Sequence, residues 1–314
     1  MEESDWSSDV CSSDLCAQVC GVAVLALALA GLPLLALRAK AFASFEEGPA
    51  YSRETPRELA ARALRFVKGL GDGSSFRYRI NMSEWNFLEL GPRALWVSFV
   101  YTAVPGAFGM ALGAVAGVAS RRRGRALADR ATDALLATPD FMLIILSQAA
   151  ALGLAKLGLR VKVAATTGPW ILLPFLVMAV APFGLSFRAA ASEARRAASS
   201  DHVTYARSKG LDERTLLRRH IGAGIFPRMA AELPTTVATM QATLFVVEHL
   251  FALPGMARML FNAAFAGPRN YYLRVEYQYD LVVLALLGSI LSSALVYLVL
   301  GLALRAAREA LIHE

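Results

Sequence analysis

The chain has 314 residues, 56% of them hydrophobic, a mean hydropathy of +0.46 and a formal net charge of +7. That is too apolar for a soluble domain with a wet surface, and its long uncharged runs approach the ~20 residues needed to cross a ~30 Å hydrocarbon layer, so helices and not a barrel are implied. The basic excess lies between the apolar runs, as membrane topology requires, and not along one continuous face that could hold nucleic acid. Cys11, Cys16 and Cys20 cluster near the start without matching histidines, which argues against a zinc site or a disulfide framework.

Residues 1–14 form a Ser/Asp-rich run with no basic entry segment, and are read as non-native or disordered. The rest predicts an all-α polytopic membrane bundle of about six spans, at roughly 16–38, 94–119, 132–155, 169–187, 229–252 and 280–304. Residues 15–93 comprise the first span and a long external loop, and residues 94–314 the membrane core. Basic residues crowd the connections at 120–131 and 188–228, so the positive-inside rule places both of these and both termini in the cytoplasm.

In the external loop, Thr55-Pro56-Arg57-Glu58 has the form of a capping box with proline at the first helical position. Leu59, Ala63, Phe66, Val67 and Leu70 follow at helical spacing, a stripe suited to the outer membrane surface or to packing on the bundle. Gly109, Gly113 and Gly117 fall on one face of the second span, where a neighbouring backbone can approach closely. Pro139 should kink the third span or start its helix near Asp140.

The segment from Glu193 to Pro227 is too long and too patterned for a simple turn. Asp201 can cap a short helix through Lys209, Gly210 suits the left-handed position that closes it, and Asp212 can cap a second helix ending near His220. A basic pair of helices could read DNA, but both ends re-enter the membrane within a few residues. A loop that merely sets topology would not need two capped helices. Tyr205, Ala206, Leu211, Leu216 and Leu217 offer instead a surface for a protein partner.

In this segment Tyr205-Ala206-Arg207-Ser208-Lys209-Gly210-Leu211, then Arg219-His220 and Pro227, resembles the cytoplasmic EAA loop of the inner-membrane permeases of ABC importers for dipeptides, oligopeptides, nickel and opines. Gly71 to Ser75 is similar to that family's GDLGTS stretch, Thr138 to Phe141 to its IPSF segment, and Val247 to Met256 to its VETVFSWPGLG signature. The resemblance covers roughly residues 60–304. Gly222-Ala223-Gly224 departs from the usual Arg-Asn-containing run.

The resemblance implies a permease subunit in the bacterial inner membrane, working with two ATPase subunits, a homologous second permease, an external solute-binding protein and the surrounding membrane lipid. It implies that Tyr205, Ala206, Gly210, Leu211, Asp212, Arg214, Leu217, Arg218, Arg219 and His220 form the coupling element that meets the ATPase. The chain itself has no P-loop and no hydrolase motif, so no catalytic residue, cofactor or metal is assigned to it.

On the fifth span, Glu232, Thr236, Thr239 and Thr243 recur at helical spacing as one polar stripe that either lines a substrate path or bonds packed helices together. Glu248, near the outer end, coincides with the family's glutamate and suits a gating or structural role. The alternative function is a proton-coupled secondary transporter using Glu232, Glu248 or Asp280.

Overall fold

The computed structural model describes residues 12–35, 38–39, 51–52, 54–80, 83–120, 125–158, 172–212, 215–216, 222–264 and 277–313. Its helices are α1 (Ser12–Leu35), α2 (Pro56–Asp72), α3 (Phe87–Ala119), α4 (Arg125–Ala137), α5 (Asp140–Lys156), α6 (Leu172–Ala198), α7 (Asp201–Ser208), α8 (Gly222–Leu250), α9 (Met256–Ala264) and α10 (Tyr279–His313). Two small antiparallel ladders join β1 (Arg38–Ala39) to β2 (Tyr51–Ser52) and β3 (Arg77–Ile80) to β4 (Ser83–Asn86). The chain divides into one unit of residues up to Pro92 with Met259–Gly288, and a second of Arg93–Arg258 with Ser289–Glu314.

In the first unit, α2 starts where the capping box places it. The Thr55 side chain accepts from Glu58 N–H, Glu58 accepts from Thr55 N–H at 2.7 Å, and Pro56 occupies the first turn, where its missing donor costs nothing. These hydrogen bonds hold the Glu58 carboxyl below the ordinary carboxylate value. The helix ends at Gly73, whose φ of 80° is left-handed. The expected stripe splits in two. Phe66 is buried with Ala30, Leu34, Tyr78 and Tyr279, and Leu59 packs against that cluster, whereas Val67 and Leu70 face outward. The β3–β4 ladder, pairing Tyr78 with Trp85, was not foreseen because four-residue strands carry little periodicity.

In the second unit the glycine face of α3 meets α6. A Cβ added at Gly109, Gly113 or Gly117 would fall within 3.0 Å of the Ala179, Phe183 or Phe187 carbonyl oxygen respectively. The two backbones are in direct contact, and because 109 to 117 runs alongside 179 to 187 in the same sense, the helices are parallel. α8 packs antiparallel on α6. Val177 and Met178 cluster with Leu244 and Val247 at one end, and Ala190 and Ala194 with Ile225 and Met229 at the other.

Parallel α3 and α6 require an odd number of crossings between them. The third span, drawn over 132–155, is not one helix: α4 and α5 meet at a 101° bend. Pro139 lacks the donor that would continue α4, and it disfavours helical backbone at Thr138; its own carbonyl accepts from Met142 and Leu143 N–H to open α5. The 17 residues of α5 rise roughly 25 Å, most of the return, and the bent pair α4–α5 together makes the crossing.

Among the described residues, three helices are long and apolar enough by themselves to cross a membrane, at Phe87–Ala119, Leu172–Ala198 and Tyr279–Ala310, and the bent pair makes four. The two other drawn spans differ for physical reasons. The apolar part of α1 is the short Cys20–Leu35, while α8 has 29 residues but carries Arg228, Glu232, Glu248 and several threonines. The loop drawn at 188–228 is also shorter than expected, because α6 continues to Ala198 and α8 begins at Gly222.

Replacing Gly113 with leucine should overfill the α3–α6 seam and cost about 1–3 kcal/mol, read as a lower thermal midpoint in detergent. The same change at Gly153, where an added Cβ meets nothing within 4 Å, should leave the midpoint in place.

Candidate functional site

α6 and α8 are joined by the segment that sequence analysis singled out. Its first helix, α7, begins at Asp201 with Ser200 at the cap position, where Asp201 was expected, because Ser200 keeps the extended backbone of a cap while Asp201 is already helical. Asp201 lies in the first turn, where a negative charge favours the helix dipole. The helix ends as expected at Gly210, with φ of 79°. Gly210 N–H donates to the Arg207 carbonyl at 3.0 Å and Leu211 N–H to that of Ala206 at 3.4 Å, the paired bonds of a Schellman motif. Asp212 then accepts from Thr215 N–H at 3.4 Å and opens the next turn.

Ala206 and Leu216 are buried against Val203, so these side chains hold the loop in shape. Tyr205 is 62% exposed, Leu211 39%, and the Lys209 ammonium lies 4.5 Å from the Tyr205 ring centre. The outward surface of α7 is therefore an aromatic–cation–aliphatic patch. Arg214, Leu217, Arg218, Arg219 and His220 lie outside the described residues, and with them the rest of the second helix.

Glu193, not singled out from sequence, is buried at the foot of this loop and bonded to Arg196 at 2.7 Å. A Cβ at Gly224 would come within 2.7 Å of its Oε1. The glycine that departs from the resemblance thus leaves room for a carboxylate beside the first turn of α8, where the helix dipole welcomes it.

The opposite end of α8 also turns on a carboxylate. Glu248 is fully buried; it accepts from the Ser98 hydroxyl at 2.5 Å and from Arg258 N–H at 3.0 Å, while Ser98 accepts from Met256 N–H at 2.8 Å. One side chain thereby ties α8 to α3 and caps the start of α9. Gly255 has no side chain because the Glu248 carboxylate occupies the space where one would sit. Between them, Leu253 N–H donates to the Glu248 carbonyl and Ala252 N–H to that of His249, a second Schellman closure, here with alanine at φ of 58°. Ser98 gave no signal in sequence, being one serine in an apolar span.

The four-membered stripe divides. Thr236 and Thr243 are buried, and Thr243 donates to Asp140 at 2.8 Å, linking α8 to the start of α5. Thr236 donates to the Glu232 carbonyl one turn back. Thr239 and Glu232 are partly exposed. Glu232 pairs with Arg228 at 2.9 Å and faces a polar cavity of about 480 Å³ that also receives Asp129, Asp133, Arg188 and Arg195. Arg195 bonds Asp129 at 3.3 Å, joining α6 to α4 across this cavity. No cluster of His, Cys, Asp and Glu suited to a metal occurs among the described residues.

The second unit is thus an apolar helical bundle in which a capped loop joins two antiparallel helices. Residues 109–312 match the family of the binding-protein-dependent transport system inner membrane component, and the chain belongs to that family. It is 29% identical over 178 residues to the dipeptide transport system permease protein DppB of Bacillus subtilis (strain 168), covering 54% of this chain and 52% of the relative. The DppB of Lactococcus lactis subsp. cremoris (strain MG1363) is 27% identical over 158 residues, 47% of this chain and 50% of the relative. The putrescine export system permease protein SapB of Escherichia coli (strain K12) is 29% identical over 93 residues, 30% and 29% respectively. The chain thus spans about half the length, or less, of these curated relatives.

Removing the Ser98 hydroxyl by Ser98→Ala should take away one of the hydrogen bonds of Glu248, leave the Met256 N–H without its acceptor, and cost about 1–3 kcal/mol. Ala252→Gly should move stability the other way by about 1 kcal/mol, by relieving a left-handed alanine. Thermal unfolding of the two variants in detergent checks both signs.

Proposed function

We propose that the chain is the membrane-spanning subunit of an ATP-binding cassette importer that moves peptides or a related small solute across the cytoplasmic membrane. Two separate ATPase subunits drive it, a homologous second permease completes the pore, and an external solute-binding protein delivers the cargo. The observation that carries this reading is the loop between α6 and α8. It is closed by a left-handed glycine, packed internally on Val203, Ala206 and Leu216, and presents Tyr205, Lys209 and Leu211 outward. A loop that only set topology would have no need of an internal core.

In this proposal the Tyr205 patch seats on the ATPase, with the turn opened by Asp212 and the cations Arg214, Arg218 and Arg219 completing the contact. Displacement of the patch moves α7, which the Schellman turn and the Leu216 contact hold in shape at the end of α6. Glu232 and Thr239 belong to the solute path at the loop end of α8, beside the charged cavity. Thr236 and Thr243 keep α8 in register with its neighbours, and Glu248 holds the far end as a gate hinge. Family membership and the dipeptide permeases among the relatives support this assignment. The proton-coupled alternative through Glu232, Glu248 or Asp280 is not favoured by membership of a binding-protein-dependent transport family.

Co-expression with its neighbouring transport genes and reconstitution of the purified complex into proteoliposomes tests the proposal. Uptake should require ATP and survive collapse of the proton gradient. Gly210→Val should preserve insertion and assembly but reduce ATP-driven uptake at least about tenfold, because a β-branched residue resists left-handed backbone and displaces the turn. Uptake that persists without ATP and fails with the gradient would overturn it.

A further inference from the structure

The inner face of α2 is pinned to the apolar helices α1 and α10. Leu59 fills the space over Gly31 of α1, and Phe66 meets the Tyr279 ring of α10 edge-on at 6.4 Å. Tyr279 opens the most apolar span of the protein, Tyr279–Ala310, and Gly31 lies near the end of the apolar stretch Cys20–Leu35. Tyr279 donates to the Leu27 carbonyl at 3.1 Å and Tyr277 to that of Ala30, so α1, α2 and α10 are bound at one level. A helix held across the start of the Tyr279–Ala310 span and the end of the apolar stretch of α1 suits the depth of the bilayer surface.

Successive helical steps order the remaining faces of α2. Next to the buried arc come Val67, Ala60 and Leu64, all exposed, with Leu64 at 62%. Beyond them come Arg57, Lys68 and Arg65, also exposed. The helix carries Arg57, Arg62, Arg65 and Lys68 against Glu58 and Asp72, both at its ends. An apolar flank beside a cationic flank, on a helix of low overall hydrophobicity, is the pattern of a helix lying in the interface, with its apolar side among acyl chains and its basic side among headgroups.

We propose that α2 is an interfacial anchor, inserting Val67, Ala60 and Leu64 into the leaflet and binding anionic phospholipid headgroups through Arg57, Arg65 and Lys68. This surface is separate from the loop between α6 and α8 and does not depend on how transport is powered. It stabilises the first unit against the bilayer and makes its attachment sensitive to the anionic lipid content.

The test uses the full chain with Cys11, Cys16 and Cys20 replaced by serine and a bimane fluorophore on Leu64→Cys or Val67→Cys. The labelled protein is reconstituted with brominated phosphatidylglycerol or brominated phosphatidylcholine. Both lipids should quench the label, with brominated phosphatidylglycerol preferred, and the preference should fall by about fivefold for each of Arg57→Gln, Arg65→Gln and Lys68→Gln. Equal quenching by the two lipids, unchanged in the glutamine variants, would overturn the headgroup assignment. Absence of quenching by either lipid, or shielding that arises only when the solute-binding protein is added, would overturn the anchor itself.

Discussion

Direct backbone contact between α3 and α6 is the constraint on which the second unit rests. Three glycines at four-residue steps bring the two helices together along the Ala179, Phe183 and Phe187 carbonyls, and no larger residue fits there. Where lipid tails are as apolar as leucine, helices gain little from hydrophobicity alone and depend on such close packing. With α6 fixed on α3, its second face is free to take α8, and the antiparallel pair carries a carboxylate at each end.

Those two carboxylates each lie beside a helix start, in space that a glycine leaves open. Glu193 lies beside the first turn of α8, in the space left by Gly224, and Glu248 caps the first turn of α9, in the space left by Gly255. Glu248 satisfies a donor that a helix start would otherwise leave unmet, which matters more in a low-dielectric surrounding than in water, while Glu193 is held by Arg196. The pair α6–α8 is thereby a lever with defined ends. Its loop end presents the Tyr205 patch and the charged cavity around Arg195, and its far end closes through Ser98, Glu248 and Ala252.

Local signals in the sequence translated well into structure. The capping box at Thr55, the stop at Gly210, the break at Pro139 and the glycine face of α3 depend on backbone chemistry that a residue type dictates at its own position. Signals that depend on a partner were less legible. The stripe on α2 gave only half of its residues to the core, since Phe66 faces Tyr279 while Val67 does not. The polar stripe of α8 divided between helix ties and a cavity because its neighbours, Asp140 and Arg228, come from different turns and different helices. Asp201 ceded the cap to Ser200 by one position, since both residues are good caps and only the backbone distinguishes them. Glu193 and Ser98 act through contacts with distant chain segments, and nothing in their immediate sequence neighbours announces that.

The central claim is that the outward face of α7 meets the ATPase. Site-directed cross-linking measures this most directly, in the assembled transporter with Cys11, Cys16 and Cys20 replaced by serine and a photoreactive cysteine reagent on Tyr205→Cys. A covalent adduct between permease and ATPase, its yield changing with bound nucleotide, is the expected result. An adduct-free complex that still hydrolyses ATP and transports solute would contradict the account.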